Sequence, residues 1–214
     1  MYRKDHKREF YTYKAREEGY PARSVYKLKE IDEKFKIIKN GDKVLDLGAA
    51  PGSWTLYVSN KIGIQGKVYG VDVADLNIKV PKNLLTTPRE HVDQEAGNIR
   101  FIKKSILDLT EEDFRGFGKN FNAVISDMAP STTGFIPKDA ADSLELSRVA
   151  FEIAKRFLKK GGHFVCKIFD GEDADAFVKE VGQSFNLLKR ARPAAIVKRS
   201  KEFYIVAKGF HPGK

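Results

Sequence analysis

The residues of this chain that could do chemistry begin with a glycine-rich turn at 46–55, Asp-Leu-Gly-Ala-Ala-Pro-Gly-Ser-Trp-Thr, which directly follows an apolar stretch. A buried strand that ends at Asp46 and a helix that opens after Gly52 would place a tight turn and a helix N-terminus at one crevice. Gly48 and Gly52 are four residues apart with Pro51 between them, which departs from the G-x-G-x-x-G spacing of dinucleotide-binding folds. The turn therefore predicts a site for an adenosine-bearing ligand without a pyrophosphate.

Three further polar side chains lie in or at the ends of apolar runs. Asp72 stands twenty positions after Gly52, where a carboxylate suits the two hydroxyls of a ribose, although a helix N-cap explains it equally well. Asp127 closes another run just before Pro130 ends the strand. Lys167 lies inside an apolar strand, where a lysine is costly unless its ammonium reaches solvent or a partner. Because ligands of an open parallel sheet sit at the carboxyl ends of its strands, we expect these side chains at one crevice.

The elements that must position these residues alternate between strand-like and helical patterns, which is typical of an α/β fold with a mostly parallel sheet. We predict a Rossmann-like, seven-stranded sheet with one antiparallel strand and helices on both faces. The last two strands are joined by a short connection, which allows only antiparallel pairing, and Gly161 and Gly162 are expected to end the third helix. The predicted strands cover 43–47, 67–72, 99–103, 121–126, 163–169, 187–197 and 202–209, and the predicted helices cover 23–36, 53–61, 140–159 and 173–184.

Length and composition predict one domain over residues 1–214, with 42% hydrophobic residues to build its core. Residues 1–20 are expected to form a basic arm, and it is left open whether this arm becomes ordered only when it binds RNA. Residues 75–98 are expected to form a partly helical excursion or a loop, to which no role is assigned. No apolar run approaches the roughly 20 residues of a membrane helix and no secretory signal is evident, so we expect a cytoplasmic protein. The single cysteine, Cys166, excludes an internal disulfide and a zinc cluster.

Charge indicates a polyanionic partner. The chain has 39 Lys and Arg against 29 Asp and Glu, a formal net charge of +10. A basic surface that serves solubility alone is the alternative. The excess is concentrated near both ends, in Arg3, Lys4, Lys7, Arg8, Lys14, Arg16, Arg23, Lys27 and Lys29, and in Lys189, Arg190, Arg192, Lys198, Arg199 and Lys201. Aromatic residues that could stack on unpaired bases interleave the first cluster, namely Tyr2, Phe10, Tyr11, Tyr13, Tyr20 and Tyr26.

Taken together, these motifs resemble the FtsJ-like family of RNA ribose 2′-O-methyltransferases, which are Rossmann-fold enzymes that use S-adenosylmethionine. The resemblance runs from about residue 16 to residue 210. It is carried by Gly-Tyr-Pro-Ala-Arg-Ser-Val-Tyr-Lys-Leu at 19–28, the turn at 46–54, Ser-Asp-Met-Ala-Pro at 126–130, Val-Cys-Lys-Ile-Phe at 165–169 and Arg-Ser-Lys-Glu-Phe-Tyr at 199–204.

The resemblance implies a catalytic tetrad at Lys27, Asp127, Lys167 and Glu202. Methyl transfer from a sulfonium needs an aligned ribose oxygen and a group that accepts its proton. Lys167 is assigned as the general base and Asp127 as its orienting partner, while Lys27 and Glu202 position the ribose. A phosphate contact for Lys27 and an edge-strand salt bridge for Glu202 are the alternatives.

The cofactor positions that the resemblance implies are Gly48, Gly52, Trp54, Asp72, Ser105 and Asp127, and no metal is implied. Ser105 departs from the family pattern, which has an acid at this place near the adenine. A hydroxyl can still bond the adenine edge but carries no charge. Weaker cofactor binding, or a shifted partner such as Asp108, would follow.

For substrate, the resemblance implies large-subunit ribosomal RNA, at a uridine, because the chain shows no added RNA-binding domain beyond its basic ends. The expected state is a monomer that binds the large ribosomal subunit and no membrane. A tRNA or an mRNA cap is the alternative RNA. The alternative functions are a non-catalytic RNA-binding assembly factor, an NAD-dependent oxidoreductase and a base methyltransferase, for which no flipped-base motif is found.

Overall fold

The computed structural model describes residues 6–78, 94–110, 112–113 and 118–212. Its strands are β1 (Lys43–Leu47), β2 (Lys67–Asp72), β3 (Gln94–Ala96), β4 (Ile99–Lys103), β5 (Phe121–Ser126), β6 (Leu158–Phe169), β7 (Phe185–Ala191) and β8 (Glu202–Phe210). Its helices are α1 (His6–Glu17), α2 (Val25–Phe35), α3 (Ser53–Ile62), α4 (Ile136–Phe157) and α5 (Ala174–Gly182), with a 3₁₀ turn at Ile106–Asp108. None of the helices in these ranges is long and apolar enough to cross a bilayer.

The described strands form one sheet in the order β3-β4-β2-β1-β5-β6-β8-β7. Strands β4, β2, β1, β5 and β6 are parallel, whereas β8 runs antiparallel to both of its neighbours. The predicted Rossmann-like, mostly parallel sheet is confirmed. It has one more strand than predicted, because the three-residue β3 pairs antiparallel with β4 inside the 75–98 stretch. Three residues are too few to show a strand period, and 79–93 lie outside the described residues.

Three predicted elements have different bounds in the structure. Helix α4 covers 136–157 rather than 140–159, and β6 begins at 158 rather than 163. Gly161 therefore lies inside β6 with a φ of 81°, next to an irregularity in the pairing with β5, and does not end the helix. Strand β7 ends at 191 rather than 197. Pro193 explains this end, because a proline has no N–H to donate to the ladder.

Helix α1 was not among the predicted helices. Its only buried residue is Ala15, so no apolar stripe recurs at helical spacing. Tyr11 nevertheless packs on Tyr26 of α2, with ring centroids 5.1 Å apart. The described part of the basic arm thus has a regular structure, and its dependence on RNA stays a prediction.

The core lies on both faces of the sheet, as side-chain alternation along the strands requires. Leu45 and Cys166 contribute to the cluster under α4 and α5, whereas Val44 and Val165 contribute to the cluster under α2 and α3. Cys166 is buried and forms no disulfide.

The same alternation aims the strand lysine at α2. Lys167 follows Cys166 in β6 and therefore projects toward the face that carries α2 and α3. In the antiparallel register Lys167 lies opposite Tyr204 of β8, and Tyr204 belongs to the cluster on that face. Strands β6 and β8 thus present a lysine and a tyrosine side by side, beneath the helix that carries Lys27.

Candidate active site

The four predicted catalytic side chains come together at the carboxyl end of the sheet. The Nζ of Lys167 lies 3.1 Å from Oδ1 of Asp127 and also donates a hydrogen bond to the backbone carbonyl of Asp127. The Nζ of Lys27 lies 2.6 Å from Oε1 of Glu202 and 4.0 Å from Oδ1 of Asp127. No side chain of the four is more than 16% exposed. Two ammonium groups and two carboxylates therefore balance one another in a nearly buried cluster.

Four separate elements deliver these groups. Asp127 directly follows β5, Lys167 lies near the end of β6, and Glu202 is the first residue of β8. Glu202 and Tyr204 are two residues apart on an antiparallel strand, so both project to the side of the sheet that Lys167 faces. Lys27 lies in the first turn of α2 and reaches this side from above.

Burial and charge have opposite effects on Asp127. Burial favours the neutral carboxyl, but the ammonium groups of Lys167 and Lys27, with the hydroxyl of Tyr204, outweigh it and lower the pKa of Asp127 below its ordinary value. Asp127 is therefore ionised at neutral pH. It can hold both lysines in place as a charged acceptor.

Tyr204 is a site residue that the sequence reasoning missed. Its hydroxyl donates a hydrogen bond of 2.6 Å to Oδ1 of Asp127, and the residue is fully buried. Burial first, then the negative charges of Asp127 and Glu202, raise its pKa well above the ordinary value, so the phenol stays a donor. The spacing of Glu202 and Tyr204 in one strand could have revealed it, since alternate residues share a face.

A cavity of about 330 Å³ lies beside the tetrad, at the carboxyl ends of β1, β2, β4 and β5. Such a volume is in the range of small-molecule sites. Gly48, Asp72, Ser105 and Asp127 line it, which brings together four of the six predicted cofactor residues. Because Asp127 belongs both to this cavity and to the tetrad, the two sites share a wall.

The two glycines of the turn act differently. Gly48 has a φ of 78°, and a Cβ there would lie 2.4 Å from Cγ of Met128, so the close approach of two segments at the cavity requires glycine. Gly52 does not line the cavity. It has a φ of 107° at the start of α3, and a Cβ there would lie 2.3 Å from Cγ2 of Ile78.

Trp54 also lies outside the lining of this cavity. Its indole Nε1 donates a 2.9 Å hydrogen bond to the carbonyl of Ser24, and its ring centroid is 5.8 Å from that of Tyr204. Next to it, Oγ of Ser53 accepts a 2.7 Å hydrogen bond from the backbone N–H of Ala22. In this structure Trp54 therefore fixes the segment before α2, and with it the position of Lys27.

The residues at the far side of the cavity are held by short local bonds. The carboxylate of Asp72 accepts 2.9 Å hydrogen bonds from the N–H groups of Ala50 and Ala74, one on each oxygen. Ser105 accepts a 3.2 Å bond from the N–H of Leu107 and so caps the 3₁₀ turn. Asp108 is exposed and is not among the lining residues of the cavity, so the structure does not support it as a substitute acceptor.

Two exposed apolar side chains, which the sequence reasoning did not single out, line the cofactor cavity. Val73 is 66% exposed and Leu107 is 62% exposed. Large apolar groups left in water beside a cavity favour an apolar, flat ligand group between them.

Asp46 is a buried carboxyl behind the glycine turn. Thr55 donates a 2.7 Å hydrogen bond to its Oδ2, whereas its buried Oδ1 has no partner in the described structure. Burial raises the pKa of Asp46 to about 7. The hydrogen bond from Thr55 lowers this pKa, whereas the negative charges of Asp127 and Asp72 raise it. The folded protein therefore holds a proton on Asp46 over a range of pH in which the unfolded chain has released it.

Asp46→Asn is expected to change the pH dependence of stability. The unfolded carboxyl titrates near pH 3.9, and the folded one near pH 7. Between these values the folded state binds more protons, so wild-type stability loses up to about 4 kcal/mol as the pH rises. The asparagine variant lacks this loss. Urea unfolding at several pH values measures it, and a difference between the two proteins that does not change from pH 4 to pH 8 would contradict the expectation.

Comparison with known proteins identifies the family. A model of the FtsJ-like methyltransferase family matches residues 20–210. A protein of Bdellovibrio bacteriovorus called ribosomal RNA large subunit methyltransferase E is 42% identical, over 93% of this chain and 95% of its own length. A protein of the same name from Desulfatibacillum aliphaticivorans is 43% identical, over 93% of this chain and 89% of its own length.

The fold has a counterpart among solved structures. A crystal structure described as a ribosomal RNA methyltransferase from Plasmodium falciparum has a TM-score of 0.73 and 23% identity, and the match covers 91% of this chain and all of that chain. At this identity the likeness shows the fold. The sequence matches cover nearly the whole chain and include every segment that builds the tetrad, which favours the methyltransferase prediction over an oxidoreductase. The chain belongs to the FtsJ-like methyltransferase family.

Proposed function

We propose that this chain transfers a methyl group from S-adenosylmethionine to a ribose 2′-hydroxyl of large-subunit ribosomal RNA. One observation carries the proposal: Asp127 lines the cavity and also lies 3.1 Å from Nζ of Lys167. A single carboxylate thereby connects the place of a methyl donor with a lysine that can take a proton. The names of the relatives support ribosomal RNA as the substrate class.

The residues of the cavity fit S-adenosylmethionine, the donor that methyltransferases of this family use. Asp72 can accept hydrogen bonds from the two ribose hydroxyls, and Val73 and Leu107 can cover the faces of the adenine. The Ser105 hydroxyl can bond the adenine edge without a charge. When bound, the cofactor supplies an electrophilic methyl group on a sulfonium.

In the proposed mechanism the tetrad aligns the ribose and receives its proton. Once Lys167 has released its ammonium proton, its neutral amine accepts the proton of the 2′-hydroxyl as the oxygen attacks, and Asp127 fixes the position of that amine. Lys27, held by Glu202 at 2.6 Å, supplies a donor for the ribose oxygens. The alternative of an edge-strand salt bridge for Glu202 does not fit, because β8 lies between β6 and β7 and Glu202 pairs with a helix residue.

The two basic clusters adjoin in space, which supports one RNA-binding surface. Arg23 donates a 3.2 Å hydrogen bond to the carbonyl of Ala195, and Glu30 accepts hydrogen bonds from the N–H groups of Ala194 and Ala195. The helix that carries Lys27 therefore contacts the segment after β7. Phosphates that approach the tetrad would meet charges from both clusters. Arg3, Lys4 and Tyr2 lie outside the described residues.

The aromatic residues that interleave the first basic cluster differ in how far their rings are exposed. Tyr20 and Tyr26 are covered by Lys29, whose Nζ lies 4.5 Å and 5.1 Å from their ring centroids. Phe10 and Tyr13 are 57% and 64% exposed on α1. We assign base stacking to these two exposed rings. The further parts of the proposal are a monomer, a uridine as the target, and the cytoplasm as the place where the enzyme meets ribosomal particles.

Labelled S-adenosylmethionine with large ribosomal particles, tRNA and capped RNA in parallel tests the substrate. We expect a 2′-O-methyl group in the large-subunit RNA alone, mapped to one nucleotide, and none with Lys167→Ala. Label in tRNA or capped RNA alone would establish the alternative substrate. RNA binding with no label in any of the three would contradict the enzymatic proposal.

A further inference from the structure

A second cavity is lined in part by residues close to Lys167 and Glu202 in the chain. Its volume is about 210 Å³. It shares no lining residue with the cofactor cavity. Its walls are mainly Thr132, Ile136, Ala140, Phe169, Ser200 and Lys201.

Two of the four segments that carry the tetrad continue into these walls. Phe169 is two residues beyond Lys167 on β6, a rise of roughly 7 Å, and lies opposite Glu202 in the register. Ser200 and Lys201 directly precede Glu202. A group in this cavity would therefore lie against residues that adjoin Lys167 and Glu202 in the chain.

The chemistry of the lining matches a nucleobase. Phe169 is half-buried and offers a ring for stacking, while Ile136 adds an aliphatic wall. Thr132 and Ser200 carry hydroxyls that can donate to or accept from the polar edge of a base. The ammonium of Lys201 is exposed, where it can contact the phosphate that follows.

The walls are held in place without a ligand. Asp139 accepts hydrogen bonds from the N–H and hydroxyl of Thr133 and from the N–H of Gly134, which fixes the loop before α4. On the opposite wall, Arg192 donates to the carbonyls of Ser200 and Glu202. These three bonds engage both oxygens of Asp139, which lines the cavity together with the exposed Asp170. The remaining surface is free to receive a neutral ring.

We infer that this second cavity binds the base of the target nucleotide and so holds its 2′-hydroxyl at Lys167. The inference rests on the proposed function, since it assigns the position of the RNA that is methylated. Loss of stacking on Phe169 is worth about 1–3 kcal/mol per base, or roughly 5- to 150-fold in affinity. Phe169 is therefore a positioning residue for the base and takes no proton.

The test combines enzyme variants with altered RNA. Large-subunit particles carry either the normal nucleotide or an abasic ribose at the position mapped above, and single-turnover methylation is measured against particle concentration. With normal RNA, Phe169→Ala and Ile136→Ala should raise the half-saturating concentration about tenfold. Ile64→Ala is the matched control, because Ile64 is 82% exposed and precedes β2, at the amino end of the parallel strands and not at the carboxyl end where the tetrad lies.

Abasic RNA shows whether Phe169 contacts the target base or another part of the RNA. Abasic RNA should raise the half-saturating concentration of wild-type enzyme about as much as Phe169→Ala raises it on normal RNA. For the Phe169→Ala variant, abasic RNA should raise that concentration little further. If the effects of the variant and of the abasic RNA on the half-saturating concentration multiply, the inference is wrong. It is also wrong if all variants have the same half-saturating concentration on normal RNA. Unchanged cofactor affinity and thermal unfolding show that the variants are folded, and Ile136 is 60% exposed, so its replacement spares the core. If wild-type enzyme methylates no RNA, the proposed function itself has failed.

Discussion

Replacement of Lys167 by alanine is expected to reduce the single-turnover rate of methyl transfer by roughly 10²- to 10⁴-fold, the usual contribution of a general base. Its Nζ contacts both the carboxylate and the backbone carbonyl of Asp127 and is almost buried, whereas the other amine of the site, Lys27, is bound to Glu202. Lys167 does not line the cofactor cavity. The dissociation constant of S-adenosylmethionine should therefore stay unchanged.

Lys167→Arg distinguishes a proton acceptor from a positive charge. A guanidinium can still pair with Asp127, but it does not deprotonate in proteins. If Lys167 is the base, the arginine variant should be as inactive as the alanine variant. Substantial methyl transfer by Lys167→Arg would contradict the assignment. Lys155→Ala is the matched control, since Lys155 is exposed on α4 and its described contacts, an ion pair with Glu152 and a cation–π contact with Phe151, lie within that helix.

The tetrad was predicted from the family resemblance, because each member stands in one of the short motifs that carry it. Lys167 shows the physical basis most clearly. A lysine in a buried strand must have a partner, and the partner, Asp127, ends the neighbouring strand of the sheet. The parallel order of strands then brings the two groups to one edge without knowledge of any contact.

Contacts between distant elements could not be predicted in the same way. The bond from Tyr204 to Asp127 depends on the register of β6 and β8, which no local pattern fixes. The cofactor role of Trp54 stays a prediction, and its contacts with Tyr204 and with the segment before α2 join elements that are distant in the chain. Helix α1 and strand β3 were missed because neither has an apolar period of its own, so packing on α2 decides the helix and pairing with β4 decides the strand.

Asp127→Ala is expected to weaken the whole site, and the effect on stability should be large. The carboxylate is the common partner of Lys167, Lys27 and Tyr204. Without it, two nearly buried ammonium groups share the single negative charge of Glu202. Breaking a buried pair in this way costs about 3–5 kcal/mol in the free energy of unfolding. Cofactor affinity should fall as well, because Asp127 lines the cofactor cavity.

The pH dependence of the stability that Asp127→Ala loses distinguishes a charge effect from a packing effect. The pKa of Asp127 is lowered in the folded state, so its stabilisation is present above the unfolded value near pH 3.9 and is lost as the pH falls through the folded value. The difference between wild type and Asp127→Ala, measured by urea unfolding, should therefore be large at pH 7 and shrink below pH 4. Asp142→Ala removes an exposed ion pair with Lys138 and should cost about 0.5 kcal/mol. A loss at Asp127 as small as that, or one that is constant with pH, would show that the lysines do not depend on this carboxylate.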